Sequence, residues 1–203
     1  MSCNDGACCG GGCEEEVGPT GPGFTGIRIN RPAPSFMNVT AYHKGTGDEN
    51  GFTKVSLREY RGRWVVLFFY PRDFTFICPT EIKGFAKMEK EFLALNCGVI
   101  AASTDSKWSH KNWFERDLPE VSFPILADTT LEISRAYGVL SDEGDADRGL
   151  FIIDPEGVVK YIIVSTGSVG RSVKETLRVL KAVQSGDLCP VEWEAGEKTL
   201  GKA

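Results

Sequence analysis

The segment from Tyr70 to Glu81 holds the residues whose types and spacing best suit chemistry, with Cys78 near its centre. An apolar run, Trp64–Tyr70, ends before this cysteine, and Pro79 directly after it fits the first position of a helix. Because a helix N-terminus stabilises negative charge, a cysteine there is favoured as the nucleophilic thiolate. A buried, inert cysteine is the structural alternative, and the helix-start position beside proline favours the reactive interpretation.

A second redox-active thiol would have to come from elsewhere in the chain. Glu81 occupies the position where a Cys-x-x-Cys motif would have its second cysteine. Cys97 begins an apolar segment and is expected to fill the core, whereas Cys189 follows the last helical pattern. A cysteine protease would need a histidine partner, and the chain has only His43 and His110. His110 is predicted on the surface of a helix, which disfavours that alternative.

Four separated sequence blocks resemble the peroxiredoxins. The spacing Pro71-x-x-x-Thr75-x-x-Cys78 matches the active-site motif of that family, and the string from Asp73 to Glu81 resembles its typical two-cysteine subgroup. That subgroup includes the peroxidase subunit of bacterial alkyl hydroperoxide reductase. The other blocks are Arg148–Asp154, Val169–Ser172 and Cys189–Trp193, in the order of the family. The resemblance extends from about Ile29 to Thr199.

The resemblance implies a role for each residue of the motif. Cys78 would be the peroxidatic cysteine, whose thiolate attacks a peroxide and becomes a sulfenic acid. Thr75 would offer its hydroxyl to the thiolate and the peroxide, and Pro71 would shield the pocket from water. Arg148 would hold the thiolate and the peroxide with charge-assisted hydrogen bonds. Taken singly, Thr75 could be a turn residue and Arg148 a solvated surface charge.

The resemblance also implies supporting residues and partners. Glu81 and Arg171 would orient Arg148 from behind. Cys189 would be the resolving cysteine, forming a disulfide with Cys78 of the other subunit of a homodimer, which could assemble further into a decamer. Thioredoxin or another dithiol protein would then reduce this disulfide. A chaperone or peroxide-sensing role of an oligomer on the same fold remains the alternative, and the complete set of motif residues argues against it.

Two departures from the family concern its sensitivity to excess peroxide. Residues 117–148 contain no Gly-Gly-Leu-Gly motif, and residues 197–203 contain no Tyr-Phe pair. In sensitive eukaryotic members these elements hold the helix of the peroxidatic cysteine in place. Their absence predicts resistance to over-oxidation.

The elements that would position these residues alternate between strands and helices. Apolar segments predict strands at 36–42, 52–57, 64–70, 99–102, 123–126, 150–154 and 158–164. Helices are predicted at 79–96 and 106–117, with two more opened by capping boxes at Thr129 with Glu132 and at Ser172 with Glu175. This alternation implies an α/β sandwich with a central mixed sheet. The resemblance implies that it is thioredoxin-like, with helices on both faces.

Composition separates a flexible Cys- and Gly-rich tail at 1–28 from the rest of the chain. The resemblance implies a thioredoxin-like peroxidase domain at 29–186 and a C-terminal tail at 187–203 that carries the resolving cysteine. Four cysteines lie in the first tail, namely Cys3, Cys8, Cys9 and Cys13. An oxidisable tail is favoured over a zinc site, because adjacent cysteines fit the paired Cys-x-x-Cys spacing poorly. Lipidation of this tail has no specific support.

Overall composition excludes several classes of protein. The 203 residues are 41% hydrophobic and 25% charged, which is typical of a folded domain. The net charge of −5 argues against a nucleic-acid partner. The longest apolar run has seven residues, whereas a membrane-spanning helix needs about 20. With few cysteines in the body and no visible secretory signal, we expect a cytoplasmic protein that uses no metal, haem or other cofactor.

Overall fold

Seven strands form one sheet in the order β2-β1-β5-β4-β3-β6-β7 in the computed structural model, which describes residues 26–202. The strands are β1 (Val39–Tyr42), β2 (Phe52–Val55), β3 (Trp64–Phe69), β4 (Cys97–Ser103), β5 (Ile125–Ala127), β6 (Arg148–Ile153) and β7 (Val159–Ser165). The α-helices are α1 (Cys78–Ala94), α2 (Lys107–Asp117), α3 (Glu132–Ala136) and α4 (Val173–Ser185). A single 3₁₀ turn, Leu57–Tyr60, precedes β3.

The sheet is mixed, as the alternation of elements predicts. At its centre β3 runs parallel to β4, and β4 runs parallel to β5. On one side β6 and β7 are added antiparallel, and on the other side β1 and β2 are. This arrangement confirms the thioredoxin-like α/β fold.

Side chains of β3 alternate between two cores, which is why its sequence reads as an unbroken apolar run. Phe68 packs with α1, α2 and α4, and its ring stacks on that of Phe85 with centroids 4.4 Å apart. Leu67 packs in the opposite core with Ile133 of α3. Both faces of the sheet are therefore covered by helices.

Several predicted strands differ at their ends in the structure, and two of these differences have a clear local cause. The strand expected at 36–42 begins only at Val39, because Asn38 adopts a left-handed backbone conformation with φ of 54°. The strand expected at 52–57 ends at Val55, because Ser56 and Glu59 form a capping box that opens the 3₁₀ turn. Apolar periodicity reports neither a left-handed residue nor a capping box, so it places these strand ends wrongly.

One of the two predicted capping boxes is wrong. α3 begins after Leu131, and the carboxylate of Asp128, not Thr129, accepts hydrogen bonds from the backbone N–H groups of Ile133 and Ser134. The prediction for α4 is confirmed at its cap, where the Ser172 hydroxyl accepts from the N–H of Glu175.

The predicted tails are covered unequally by the structure. Cys3, Cys8, Cys9 and Cys13 lie outside the described residues. At the other end, Leu188 exchanges backbone hydrogen bonds with Leu200 and Gly201. Trp193 is buried, and its carbonyl accepts from Arg178 of α4. Between residues 26 and 202 no helix has the length and apolar character that crossing a membrane requires.

Candidate active site

Cys78 lies at the junction between the central strand and the first long helix. β3 ends at Phe69, a loop covers residues 70–77, and Cys78 is the first residue of α1. Pro79 is thus the second helical residue, one position later than its sequence suggests. The cysteine is buried against the core, yet it lines a shallow surface pocket of about 260 Å³. The other residues lining this pocket are Pro71, Thr75, Phe76, Ile77, Arg148 and Gly167.

Arg148, the first residue of β6, brings a positive charge to this thiol. Its Nη2 lies 3.5 Å from the Cys78 Sγ, and its Nε donates to the Gly167 carbonyl at 3.0 Å. The side chain is almost completely buried. A charged guanidinium in so little solvent stabilises a thiolate more strongly than it would at the surface.

Glu81, one turn after Cys78, forms ion pairs with both Arg148 and Arg171. Its carboxylate accepts from Arg148 Nη1 at 2.5 Å and from Arg171 Nε at 2.7 Å. Burial raises the pKa of the Glu81 carboxyl, but hydrogen bonds and charge from Arg171 and Arg148 outweigh it and hold the pKa below its ordinary value. Two buried guanidinium groups and one carboxylate leave one positive charge, which a thiolate at Cys78 would neutralise.

Arg171 anchors this group to the sheet. Its Nη1 donates to the Gly149 carbonyl at 2.5 Å and its Nη2 to the Phe69 carbonyl at 2.8 Å. These carbonyls belong to β6 and to the end of β3. Arg171 thereby fixes Glu81 relative to both strands, and Glu81 in turn limits how Arg148 can move.

Thr75 and Pro71 line the rim of the pocket. The Thr75 hydroxyl donates to the backbone carbonyl of Arg72 at 2.9 Å rather than to Cys78. With its proton engaged, the hydroxyl oxygen keeps lone pairs that can accept a hydrogen bond from a bound molecule. The structure therefore brings together six of the seven predicted residues: Pro71, Thr75, Cys78, Glu81, Arg148 and Arg171.

Cys189, the seventh, does not meet Cys78 within the single chain. Its Sγ lies 3.5 Å from the Ser185 hydroxyl and 3.6 Å from the carbonyl of Asp187. Cys78, Cys97 and Cys189 are all free thiols. Burial raises the pKa of Cys97 to about 12, in keeping with the core position expected for it.

The surface position predicted for His110 is wrong. His110 is fully buried, with Nδ1 2.9 Å from the Asp73 carboxylate and Nε2 3.2 Å from the Leu126 carbonyl. Tyr70 and Ser109 also donate to Asp73. The polar character of the segment around His110 concealed a helix face that packs on the active-site loop.

Neither histidine is available as a base for Cys78. His43 pairs with the Ser122 carbonyl, and His110 with Asp73. This arrangement lacks the thiol–imidazole pair that a cysteine protease requires. Within residues 26–202, no three Cys, His, Asp or Glu side chains form a group that could hold a metal ion.

Comparison with known families agrees with this geometry. A model described as the AhpC/TSA family matches residues 29–162. The chain belongs to the AhpC/TSA family. Among its relatives, a thioredoxin peroxidase of Trypanosoma brucei rhodesiense is 50% identical over 183 residues, spanning 85% of this chain and 89% of that protein.

Solved structures of peroxiredoxins share the fold. The reduced 2-Cys peroxiredoxin of Plasmodium vivax has a TM-score of 0.79 at 33% identity, covering 85% of this chain and 92% of that one. AhpC of Mycobacterium bovis has a TM-score of 0.76 at 38% identity, covering 83% of this chain and 99% of that one. This peroxiredoxin is therefore a peroxide-reducing enzyme.

Proposed function

We propose that this peroxiredoxin reduces hydrogen peroxide and organic hydroperoxides with Cys78 as the nucleophile. The thiolate attacks one peroxide oxygen, the O–O bond breaks, and the leaving oxygen takes up a proton to give water or an alcohol. The sulfur is oxidised to a sulfenic acid while the peroxide is reduced. Arg148 stabilises the charge that develops on the oxygens.

The contact between Cys78 and Arg148 is the observation that carries this proposal. The two residues lie 70 positions apart in the chain, and the guanidinium is 3.5 Å from the sulfur. The adjacent pocket is large enough for a small peroxide and is lined on its other sides mainly by apolar atoms. Arg148 and Thr75 are thus the polar side chains of the lining that can hold the reacting oxygens.

Resolution of the sulfenic acid is proposed to use Cys189 of the partner subunit in a homodimer, or in a decamer built from five such dimers. The Cys189 sulfur attacks the sulfenic sulfur, a disulfide forms, and water leaves. Cys189 is partly exposed and lies in the segment after α4, which makes it accessible to a second chain.

The experiment is a single turnover with one equivalent of hydrogen peroxide, followed by a non-reducing gel and mass spectrometry. We expect a covalent dimer joined through Cys78 and Cys189, and no such dimer from Cys78→Ser or Cys189→Ser. Cys97→Ala is the matched control, because Cys97 is buried in β4. A monomer with an oxidised, unpaired Cys78 would contradict the two-cysteine mechanism, and turnover by Cys78→Ser would contradict the whole proposal.

Thioredoxin or a similar dithiol protein is proposed as the reductant, in the cytoplasm, where thiols are kept reduced. A relative that shares half of its aligned residues with this chain bears the name thioredoxin peroxidase. With thioredoxin, its reductase and NADPH present, we expect peroxide-dependent consumption of NADPH. If NADPH is consumed at the same rate when thioredoxin is omitted, thioredoxin is not the reductant.

A further inference from the structure

The peptide group between Arg72 and Asp73, in the active-site loop, is hydrogen-bonded at both its C=O and its N–H. The C=O of Arg72 accepts the Thr75 hydroxyl at 2.9 Å, and the N–H of Asp73 donates to Oδ2 of Asp105 at 2.8 Å. These two groups belong to the same planar peptide unit, and in a trans peptide they point in opposite directions. The orientation of the Thr75 hydroxyl is thus linked to the position of a carboxylate outside the loop.

The Asp105 carboxylate is itself fixed at the end of the sheet. It follows β4, is half-buried, and accepts from the Ser103 hydroxyl at 3.1 Å through the same Oδ2. The backbone N–H of Asp105 donates back to that hydroxyl at 3.1 Å. A carboxylate closed into a two-residue ring with its neighbour has little freedom, so it provides a rigid acceptor for the loop.

The side chains on either side of this peptide do not contact its C=O or N–H group. Arg72 pairs with Asp145 at 2.6 Å, and the Asp73 carboxylate is taken up by Tyr70, Ser109 and His110. These contacts restrain the side chains of Arg72 and Asp73, the two residues that the peptide joins. The Asp105 carboxylate accepts a hydrogen bond from the N–H of this peptide, and the C=O of the same peptide accepts one from the Thr75 hydroxyl.

We propose that Asp105 is a positioning residue for peroxide reduction, acting through the 72–73 peptide on the Thr75 hydroxyl. Because the hydroxyl proton is directed to the Arg72 carbonyl, the Thr75 oxygen is left as an acceptor for the O–H of the bound peroxide. Without Asp105 the peptide can rotate, and the hydroxyl loses its fixed direction. This inference rests on the proposed function, with the peroxide bound in the pocket that Thr75 and Cys78 both line.

The test compares two reactions of Cys78 in a Cys189→Ser background, where no resolution follows oxidation. Rapid quenching and mass spectrometry give the rate of oxidation by hydrogen peroxide and the rate of alkylation by iodoacetamide, which does not need the Thr75 hydroxyl. For Asp105→Ala we expect peroxide oxidation to fall about tenfold, less than the loss of a direct transition-state contact, with alkylation changed by less than about twofold. Asp105→Asn keeps an acceptor oxygen and should recover most of the rate.

A double-mutant cycle separates action through Thr75 from a general effect on the loop. In a Thr75→Val background, Asp105→Ala should slow oxidation no further. An equal loss in both backgrounds, or a parallel loss of alkylation, would overturn the proposal. Exposed Asp142 is the matched control, and Asp142→Ala should leave both rates unchanged. If the Cys189→Ser parent does not react with peroxide, the proposed function fails instead.

Discussion

In the chemistry proposed at Cys78, the stabilising group is a single guanidinium that makes three different polar contacts. Arg148 uses Nη2 for the Cys78 sulfur, Nη1 for Glu81 and Nε for the Gly167 carbonyl. A lysine in its place would carry the same charge but could not span the three directions. The geometry of the guanidinium, more than its charge, is what holds it beside the sulfur.

We therefore expect Arg148→Lys to slow the oxidation of Cys78 by hydrogen peroxide by about a hundredfold, the scale of losing one oriented transition-state contact. The rate is measured by rapid quenching in the Cys189→Ser background. Arg58→Lys, at an exposed position of the 3₁₀ turn, is the matched control. Oxidation at the parental rate in Arg148→Lys would show that charge alone suffices.

Glu81 gives a second prediction, which concerns stability. Because its pKa is lowered in the folded state, its carboxylate stabilises the fold above the ordinary pKa of 4.5, and that contribution is lost as the pH falls through the lowered value. Glu81→Gln leaves Arg148 and Arg171 less well compensated and should reduce the free energy of unfolding at neutral pH by about 3 kcal/mol. Urea titrations from about pH 7 to about pH 3 should show a flatter acid dependence for the variant. Parallel curves would contradict this assignment.

Among the elements, the segment after α4 governs how easily Cys189 can leave its own chain. Leu188, next to this cysteine, is paired through backbone hydrogen bonds with Leu200 and Gly201, each 2.8 Å long. The side chains of Leu188 and Leu200 are largely exposed, so these bonds have little apolar packing around them. The end of the chain thus restrains the residue that is proposed to reach another subunit.

Removal of residues 200–203 should accelerate disulfide formation between Cys78 and Cys189 by about thirtyfold, since two hydrogen bonds worth about 1 kcal/mol each no longer oppose opening. The rate is followed after a peroxide pulse by non-reducing electrophoresis at several times. Lys198→Ala is an exposed control within the same segment. An unchanged rate would mean that opening of this segment does not limit resolution.

At the scale of the whole molecule, the proposed mechanism requires a second subunit to supply the thiol that resolves the oxidised Cys78. A sulfenic acid that is resolved slowly can react with a second peroxide and become a sulfinic acid. Residues 117–148 lack the Gly-Gly-Leu-Gly motif, and this predicts fast resolution. Resistance to over-oxidation stays a prediction of the sequence.

Titration with excess hydrogen peroxide in the presence of thioredoxin and its reductase tests this resistance. We expect turnover to continue over many equivalents, with little sulfinic acid at Cys78 by mass spectrometry. Cys189→Ser provides the comparison, because it lacks the resolving thiol and should accumulate sulfinic acid early. Early loss of activity in the parent protein would show that the missing motifs do not set its sensitivity.

The elements themselves were largely predictable from local patterns. Apolar runs located the seven strands, and helical spacing and capping signals located the four α-helices of the described residues, with Ser172 correctly identified as the cap of α4. The errors occur where a single residue overrides the pattern. Asn38 interrupts a strand with a left-handed backbone, and Asp128 replaces Thr129 in capping α3. These effects depend on side-chain hydrogen bonds that periodicity does not encode.

The sequence by itself indicated the α/β class from its alternating strand and helix patterns, and the resemblance of four separated blocks indicated the family and the candidate residues. The resemblance implied that Glu81 and Arg171 orient Arg148, but only the tertiary structure decided which atoms meet. Glu81 lies 67 residues from Arg148 and 90 from Arg171, and the order of strands in the sheet brings them together. The burial of His110 and the link from Asp105 to Thr75 were decided in the same way. Local physical signals act within a few residues, whereas such contacts depend on how distant segments pack.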